Sequence, residues 1–182
     1  VEKSGEAILL YLATLRAGYV FLPLNTAYQS AEIEYFVANA EPAVVVCAPK
    51  NFGRVSKIAF TAGTEHAFTL EKQADDLAAI LYTSGTTGRS KGAMLSHGNL
   101  LSNAVMLKDY WGWKQGDVLI HALPIFHVHG LFVAIHGALI NGSKMIWLSK
   151  FDPKLAIARF TEATVFMGVP TLYVRMLAEP TL

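Results

Sequence analysis

Apolar residues along this chain recur at two spacings, one typical of helices and one typical of strands. Ile8, Leu9, Leu12 and Leu15 lie at the spacing of one helix face, which predicts an amphipathic helix over 4–17. Capping residues ahead of other periodic segments predict further helices. These run from Ser30 to about Ala40, from Ser96 to about Tyr110, from His127 to Ile140, and onward from Asp152-Pro153 and from Pro170.

Short apolar runs between these helices predict strands. They are Tyr19 to Leu24, Ala43 to Cys47, Ala79 to Thr83, Lys91 to Leu95, Asp117 to His121, Lys144 to Leu148 and Ala163 to Met167. Alternating strands and helices favour an α/β fold with parallel-sheet layers and flanking helices. In such sheets, ligands bind beyond the carboxyl ends of the strands, and Thr83, His121 and Gly168 fall at or near such ends.

The residues from Tyr82 to Gly92 read Y-T-S-G-T-T-G-R-S-K-G and directly follow an apolar run. Glycines let the backbone approach an anion, successive N–H groups can form an anion nest, and hydroxyls and a lysine add donors. The stretch is not a P-loop, because Lys91 is followed by Gly92 and not by Ser or Thr. A polar surface turn is the alternative interpretation, but the clustering predicts a polyphosphate site.

Three segments, in order, resemble the motifs of the adenylate-forming superfamily, which includes acyl-CoA synthetases and luciferases. The loop is similar to the family form [YF]-T-S-G-[ST]-T-G-x-P-K-G and departs from it only at Ser90, where proline is usual. The stretches L-R-A-G-Y-V-F-L-P-L-N at 15–25 and L-P-I-F-H-V-H-G at 123–130 resemble an upstream and a downstream family segment. The resemblance implies the large N-terminal domain of an adenylate-forming enzyme.

Within that family, H-V-H-G at 127–130 and M-G-V-P-T-L-Y-V-R at 167–175 look most like the malonyl-CoA synthetases. The resemblance implies that ATP converts a small carboxylate, malonate, into an acyl-adenylate, and that coenzyme A then receives the acyl group. Such a substrate needs a cation for its unreactive carboxylate, and Arg175 is the candidate because guanidinium binds carboxylates bidentately. A medium- or long-chain or aryl acyl-CoA ligase, a nucleotide-binding module without catalysis, and an interaction domain that uses the loop structurally are the alternatives.

The resemblance also implies roles for individual residues. The ATP phosphates would be held by Thr83, Ser84, Gly85, Thr86, Thr87, Gly88, Arg89, Ser90 and Lys91. Lys91 and His127 are the expected catalytic residues, and His129, Gly168, Val169 and Arg175 are the expected substrate-binding residues. For each of them, core packing or plain surface exposure is the alternative. We expect no metal at the His127–His129 pair, since no Cys, Asp or Glu cluster completes a ligand set. Mg²⁺ would bridge phosphate oxygens.

Composition narrows the remaining classes of function. The chain is 53% hydrophobic and 16% charged, with a formal charge of +1 and no basic stripe, which argues against nucleic-acid binding. The apolar runs are too short to span a bilayer. The single cysteine, Cys47, excludes an internal disulfide and is expected to be a buried thiol. A reducing, cytoplasmic compartment fits best.

The domain organisation expected from the sequence is a fragment. Residues 1–182 would form part of the large ATP- and acyl-binding domain, without the small C-terminal domain of the family. Residues 50–75 fit the pattern poorly, and they are either a surface crossover or the place of missing sequence. Oligomeric state is not predicted.

Overall fold

The structure is a computed structural model that describes residues 2–47, 71–83 and 90–180. The chain divides into two compact units. Unit 1 comprises Val1–Lys72 and Ala78–Met94, and unit 2 comprises Gln73–Leu77 and Leu95–Leu182. In the described part of the chain, no helix is long and apolar enough to cross a membrane.

The described residues of unit 1 contain two helices, α1 (Gly5–Arg16) and α2 (Ser30–Ala40). They also contain most of strands β1 (Leu77–Thr83) and β2 (Lys91–Ser96), which form a two-stranded sheet. The helices begin where side chains satisfy free backbone N–H groups, as helix starts require. The Ser4 hydroxyl accepts from the Ala7 N–H at 3.2 Å. For α2 the expected cap was wrong by one residue: Gln29 is the N-cap, and its N–H donates to Glu32.

Two predicted strands of unit 1 are wrong. Between Tyr19 and Leu24, only Phe21 pairs, in an isolated parallel bridge with Ala79. Pro23 lacks the N–H that a longer ladder would need. The run from Ala43 to Cys47 forms no strand, and Val44 is 61% exposed. An apolar composition does not supply a hydrogen-bonding neighbour, and no partner strand lies beside this run among the described residues.

Unit 2 contains a three-stranded parallel sheet in the order β4-β3-β5, formed by β3 (Val118–His121), β4 (Lys144–Trp147) and β5 (Val165–Phe166). Its helices are α3 (His97–Trp111), α4 (His136–Asn141), α5 (Pro153–Ala158) and α6 (Pro170–Leu177). Ser96 caps α3 and Asp152 caps α5, both as predicted. The predicted α/β architecture with parallel strands is confirmed.

Alternating residues of β3 enter two separate cores, because successive strand residues face opposite sides of a sheet. Leu119 packs in a cluster with Trp113, Leu123, Ala134, Ala138 and Met167. Ile120 packs in a second cluster with Ala122, Leu148, Ala156 and Met176. Both residues are fully buried. The sheet is therefore covered on both faces, which explains the nearly continuous apolar runs of its strands.

The helix predicted from His127 to Ile140 begins later and is partly of another type. Residues His129–Ile135 are π-helical, and α4 follows directly. Leu131, Phe132, Ala134 and Ile135 are buried in the π-helical segment. An apolar face signals burial, but it does not distinguish the π hydrogen-bond pattern from the α pattern. Such segments occur frequently at functional sites.

Candidate active site

The two stems of the predicted phosphate loop lie in unit 1. Thr83 ends β1, and Lys91 begins β2 with an exposed side chain. The Thr83 hydroxyl donates to the Lys91 carbonyl at 3.5 Å, the long end of the hydrogen-bond range. The remaining predicted phosphate ligands Ser84, Gly85, Thr86, Thr87, Gly88 and Arg89 lie outside the described residues.

Gly92 lets β2 approach β1 closely behind Lys91. A Cβ at this position would lie 2.9 Å from Ile80 Cγ2 and 3.6 Å from the Tyr82 ring. Burial and the neighbouring Tyr35 raise the pKa of the Tyr82 hydroxyl, which therefore remains a neutral donor at physiological pH. The stem that presents Lys91 is thus packed closely against the strand that precedes the loop.

His127 and His129 lie in unit 2, where the chain leaves β3 and enters the π-helical segment. The His129 N–H donates to His127 Nδ1 at 3.3 Å. Because Nδ1 accepts, the neutral His127 ring carries its proton at Nε2. The His127 side chain is exposed, so this N–H can donate to an anionic oxygen of a ligand. Burial, and secondly the charge of His127, lower the pKa of His129 and favour its neutral form.

His121 holds the start of the π-helical segment through a side-chain contact. It is the last residue of β3, it is buried, and its Nε2 lies 2.9 Å from the Gly130 carbonyl oxygen. Gly130 itself has no space for a side chain, since a Cβ would lie 2.1 Å from the Pro124 carbonyl oxygen. His121 is therefore part of the core, and the close approach of the Pro124 carbonyl explains why glycine follows His129.

A cavity of about 400 Å³ opens in unit 2 beside His129 and Gly168. Two of the predicted substrate-binding residues therefore line one space. The other lining residues are Trp111, Trp113, Asp117, Val165, Phe166, Met167 and Tyr173. A Cβ on Gly168 would lie 3.1 Å from Phe166 and 3.3 Å from Tyr173, so a larger residue would push into this wall.

Sequence reasoning did not single out the aromatic lining of this cavity. Trp111, Trp113 and Tyr173 come from α3, the turn after it and α6. The W-G-W stretch at 111–113 was the available signal, since ligand pockets are lined predominantly by hydrophobic and aromatic side chains. Asp117 is also part of the lining; hydrogen bonds from the Lys114 N–H and the Thr164 hydroxyl lower the pKa of its carboxyl group.

Arg175 and Val169 do not line that cavity. Residues of an α-helix are about 100° apart, so Tyr173 and Arg175 point to roughly opposite sides of α6. The Arg175 guanidinium lies 4.8 Å from the centre of the Phe151 ring, and its side chain is exposed. Val169 is the N-cap of α6 and is 41% exposed. Among the described residues, no group of three His, Cys, Asp or Glu side chains could hold a metal ion.

The AMP-binding enzyme family model matches residues 1–182, which is the whole chain. The chain belongs to the AMP-binding enzyme family. This confirms the resemblance read from the loop and its two companion segments.

Two curated relatives are similar over most of this chain. The mitochondrial malonate–CoA ligase of Bos taurus is 31% identical over 188 residues, which cover 91% of this chain and 32% of that protein. A feruloyl-CoA synthase of an Amycolatopsis species is 32% identical over 187 residues, covering 93% of this chain and 38% of that protein. The chain therefore spans about a third of the length of the curated relatives that it matches.

Among solved structures, ATP-bound MatB from Rhodopseudomonas palustris superposes with a TM-score of 0.92. It is 51% identical in sequence, and the match covers 99% of this chain and 40% of that one. The similarity extends over both units, and it identifies the fold as the large-domain part of an adenylate-forming enzyme.

Proposed function

We propose that the full-length protein is an ATP-dependent ligase that joins malonate to coenzyme A. The similarity to a malonate–CoA ligase over 91% of this chain carries the proposal. The solved structure with 51% sequence identity has ATP bound, which supports ATP as the nucleotide substrate. The names of both curated relatives support coenzyme A as the acceptor.

The proposed reaction has two steps. A malonate carboxylate oxygen attacks the α-phosphorus of ATP, the bond to the bridging oxygen breaks, and malonyl-adenylate and pyrophosphate form. The coenzyme A sulfur then attacks the acyl carbon, the thiol proton is released, and AMP leaves. Both steps concentrate negative charge, so positioning and hydrogen-bond donors supply most of the catalysis.

In this proposal the phosphate loop and Lys91 hold the β- and γ-phosphates. Lys91 lies at the start of β2 with its ammonium group exposed, which suits a mobile point charge for phosphate oxygens. Mg²⁺, when bound with ATP, would neutralise part of the phosphate charge. Within the described part of the chain, no group of three His, Cys, Asp or Glu side chains could hold this ion.

His127 is proposed to donate its Nε2–H to an oxygen of the α-phosphate or of the reacting carboxylate. Its Nδ1 is occupied by the His129 N–H, which leaves Nε2 as the free donor. A hydrogen-bond donor of this kind stabilises negative charge that develops in the transition state. His129 and Gly168, which line the cavity, are proposed to contact the acyl group.

Arg175 is proposed to hold the malonate carboxylate that does not react. Stacking on Phe151 occupies one face of the guanidinium and leaves its N–H edges open for a bidentate carboxylate. Val169, at the start of the same helix, is proposed to border this group. Because Arg175 does not line the cavity beside His129, this assignment places the unreactive carboxylate outside that cavity, and substitution of Arg175 tests it.

A second candidate function is aryl-CoA ligation. The feruloyl-CoA synthase is as similar in sequence as the malonate–CoA ligase, at 32% against 31% identity. The cavity is lined by two tryptophans, a phenylalanine and a tyrosine, which suits the planar ring of an aromatic acid. The two candidates differ in whether Arg175 contributes.

The test is ATP- and CoA-dependent thioester formation by the full-length protein with malonate, methylmalonate, ferulate, acetate and octanoate. We expect malonate to give the highest kcat/KM. Arg175→Ala should lower it by about 10- to 100-fold, the worth of a hydrogen-bonded charge, and leave the low activity with acetate unchanged. Arg159→Ala is the matched control, because Arg159 is also an exposed arginine of unit 2. Its Nη1 forms an ion pair with Glu162 Oε1 at 2.7 Å.

Each alternative predicts a different pattern. Preference for ferulate, with no effect of Arg175→Ala, would establish the aryl function in place of the malonate function. ATP binding without thioester formation from any acid would identify a nucleotide-binding module.

The compartment is a separate question. We propose a cytoplasmic compartment, whereas the name of the bovine relative states a mitochondrial one. Cell fractionation of the full-length protein distinguishes the two.

A further inference from the structure

Helix α2 contacts both stems of the phosphate loop through side-chain hydroxyl groups. The Tyr35 hydroxyl donates to the Ser90 carbonyl oxygen at 2.8 Å, after the loop. The Tyr82 hydroxyl, before the loop, donates to Asn39 Oδ1 at 2.5 Å. Tyr35 and Asn39 are four residues apart and therefore lie on one side of the helix. These bonds join residues 55 and 43 positions apart in sequence.

Aromatic packing fixes the helix against the first stem. Phe36 is 2% exposed, and its ring lies 4.4 Å from that of Tyr82 and 5.0 Å from that of Tyr28. Tyr35 and Tyr82 are themselves edge-on, with ring centres 6.2 Å apart. Buried aromatic contacts of this kind hold side chains in few orientations. The hydroxyl groups of Tyr35 and Tyr82 are therefore aimed by a packed cluster within unit 1.

We propose that α2 is a brace for the phosphate loop and that Tyr35 is a positioning residue for Lys91. The proposal rests on the proposed function, in which this loop binds ATP. The Ser90 carbonyl and the Lys91 N–H belong to one planar peptide unit, so holding the carbonyl oxygen fixes the plane from which Lys91 projects. The Thr83 hydroxyl contacts the carbonyl on the other side of Lys91.

The residue at the contact makes such a brace useful. Ser90 stands where the family form of the loop has proline, which would fix φ at that position. Serine leaves φ free, and the unbraced stem would sample more conformations. A hydrogen bond from Tyr35 restores a restraint at the same residue, from a helix that carries none of the family motifs quoted above.

Tyr35→Phe in the full-length protein tests the brace, because it removes one hydroxyl and keeps the ring. We expect the KM for MgATP to rise about three- to tenfold, the effect of one lost neutral hydrogen bond. The KM for malonate should stay within error, and the melting temperature should fall by about 2–4 °C, since the same bond also stabilises the fold. Tyr28→Phe is the matched control: its ring packs on the same Phe36, and within the described residues its hydroxyl makes no hydrogen bond.

Lys91→Met separates failure of the brace from failure of the proposed function. If Lys91→Met leaves the KM for MgATP unchanged, the loop does not bind ATP. Both the proposed function of the loop and the brace are then overturned. If Lys91→Met raises it and Tyr35→Phe does not, only the brace is overturned. If both raise it, the double variant should be less than multiplicative, because Tyr35 acts through Lys91; independent effects would also overturn the brace.

Asn39→Ala tests the other stem and provides a second variant should Tyr35→Phe prove unstable. It removes the acceptor of the Tyr82 hydroxyl without altering the loop itself. The brace predicts the same selective rise in the KM for MgATP. An equal rise in the KM for malonate and for coenzyme A would point to general distortion and contradict the proposal.

Discussion

At the scale of single residues, burial of an ionisable ring gives a signed prediction. Burial lowers the pKa of His136 from 6.5 to about 4. Between these two pH values the unfolded chain therefore binds a proton at His136, whereas the folded protein does not. The free energy of unfolding is therefore highest above pH 6.5. It decreases as the pH falls towards 4 and is lower there by on the order of 3 kcal/mol. His136→Gln, which cannot titrate, should flatten this part of the curve.

Urea unfolding at half-unit steps from pH 7 to pH 4 measures the effect. His129 also has a lowered pKa, so the variant should keep a smaller slope in the same range. His97→Gln is a suitable control, because it removes a histidine at the first position of α3 and not in the packed ring contact between His136 and Phe132. Parallel curves for wild type and His136→Gln would contradict the prediction.

At the scale of elements, α3 depends on its first turn. The Ser96 hydroxyl accepts from the Asn99 N–H at 3.1 Å, and the Asn99 side chain accepts from the Ser96 N–H at 3.0 Å. Ser96→Ala should lower the free energy of unfolding by about 1 kcal/mol. Ser102→Ala, in the same helix but exposed, should change it by less than about 0.5 kcal/mol. Chemical denaturation of both variants decides, and equal values would show that the cap contributes nothing.

The elements also show how much the sequence could predict. Caps are local, so Ser96 and Asp152 could be identified from the residues alone, and the strands β3 and β4 follow from their apolar runs. Pairing is not local, so the run from Ala43 to Cys47 was assigned to a strand that the structure does not form. Cys47 is accordingly half-buried and not buried.

The candidate site divides in the same way. Phosphate-loop and histidine segments could be found because their residue types are dense in a short stretch. The cavity wall could not, because Trp111, Trp113 and Tyr173 are brought together only by the packing of α3 and α6 in unit 2. Tyr35 and Asn39 were missed for the same reason: their partners Ser90 and Tyr82 are far away along the chain.

At the scale of the whole molecule, each unit has its own core, and the sequence provides a probe for one of them. All three tryptophans, Trp111, Trp113 and Trp147, lie in unit 2. Tryptophan fluorescence therefore follows unit 2, whereas far-ultraviolet circular dichroism follows the helices of both units. We expect the two signals of the 182-residue chain to give different denaturation midpoints, because the chain divides into two compact units and such units can unfold in separate steps.

Two core substitutions make this prediction specific. Tyr11 is fully buried in unit 1, with its ring 5.0 Å from that of Phe21, and Ile120 is fully buried in unit 2. Each truncation to alanine should cost about 2–5 kcal/mol in its own unit. Ile120→Ala should shift the fluorescence midpoint, and Tyr11→Ala should shift only the dichroism component of unit 1. If Tyr11→Ala moved the fluorescence midpoint by the same amount as Ile120→Ala, the two units would unfold as one cooperative block. A core substitution in either unit would then destabilise the phosphate loop and the histidine segment equally.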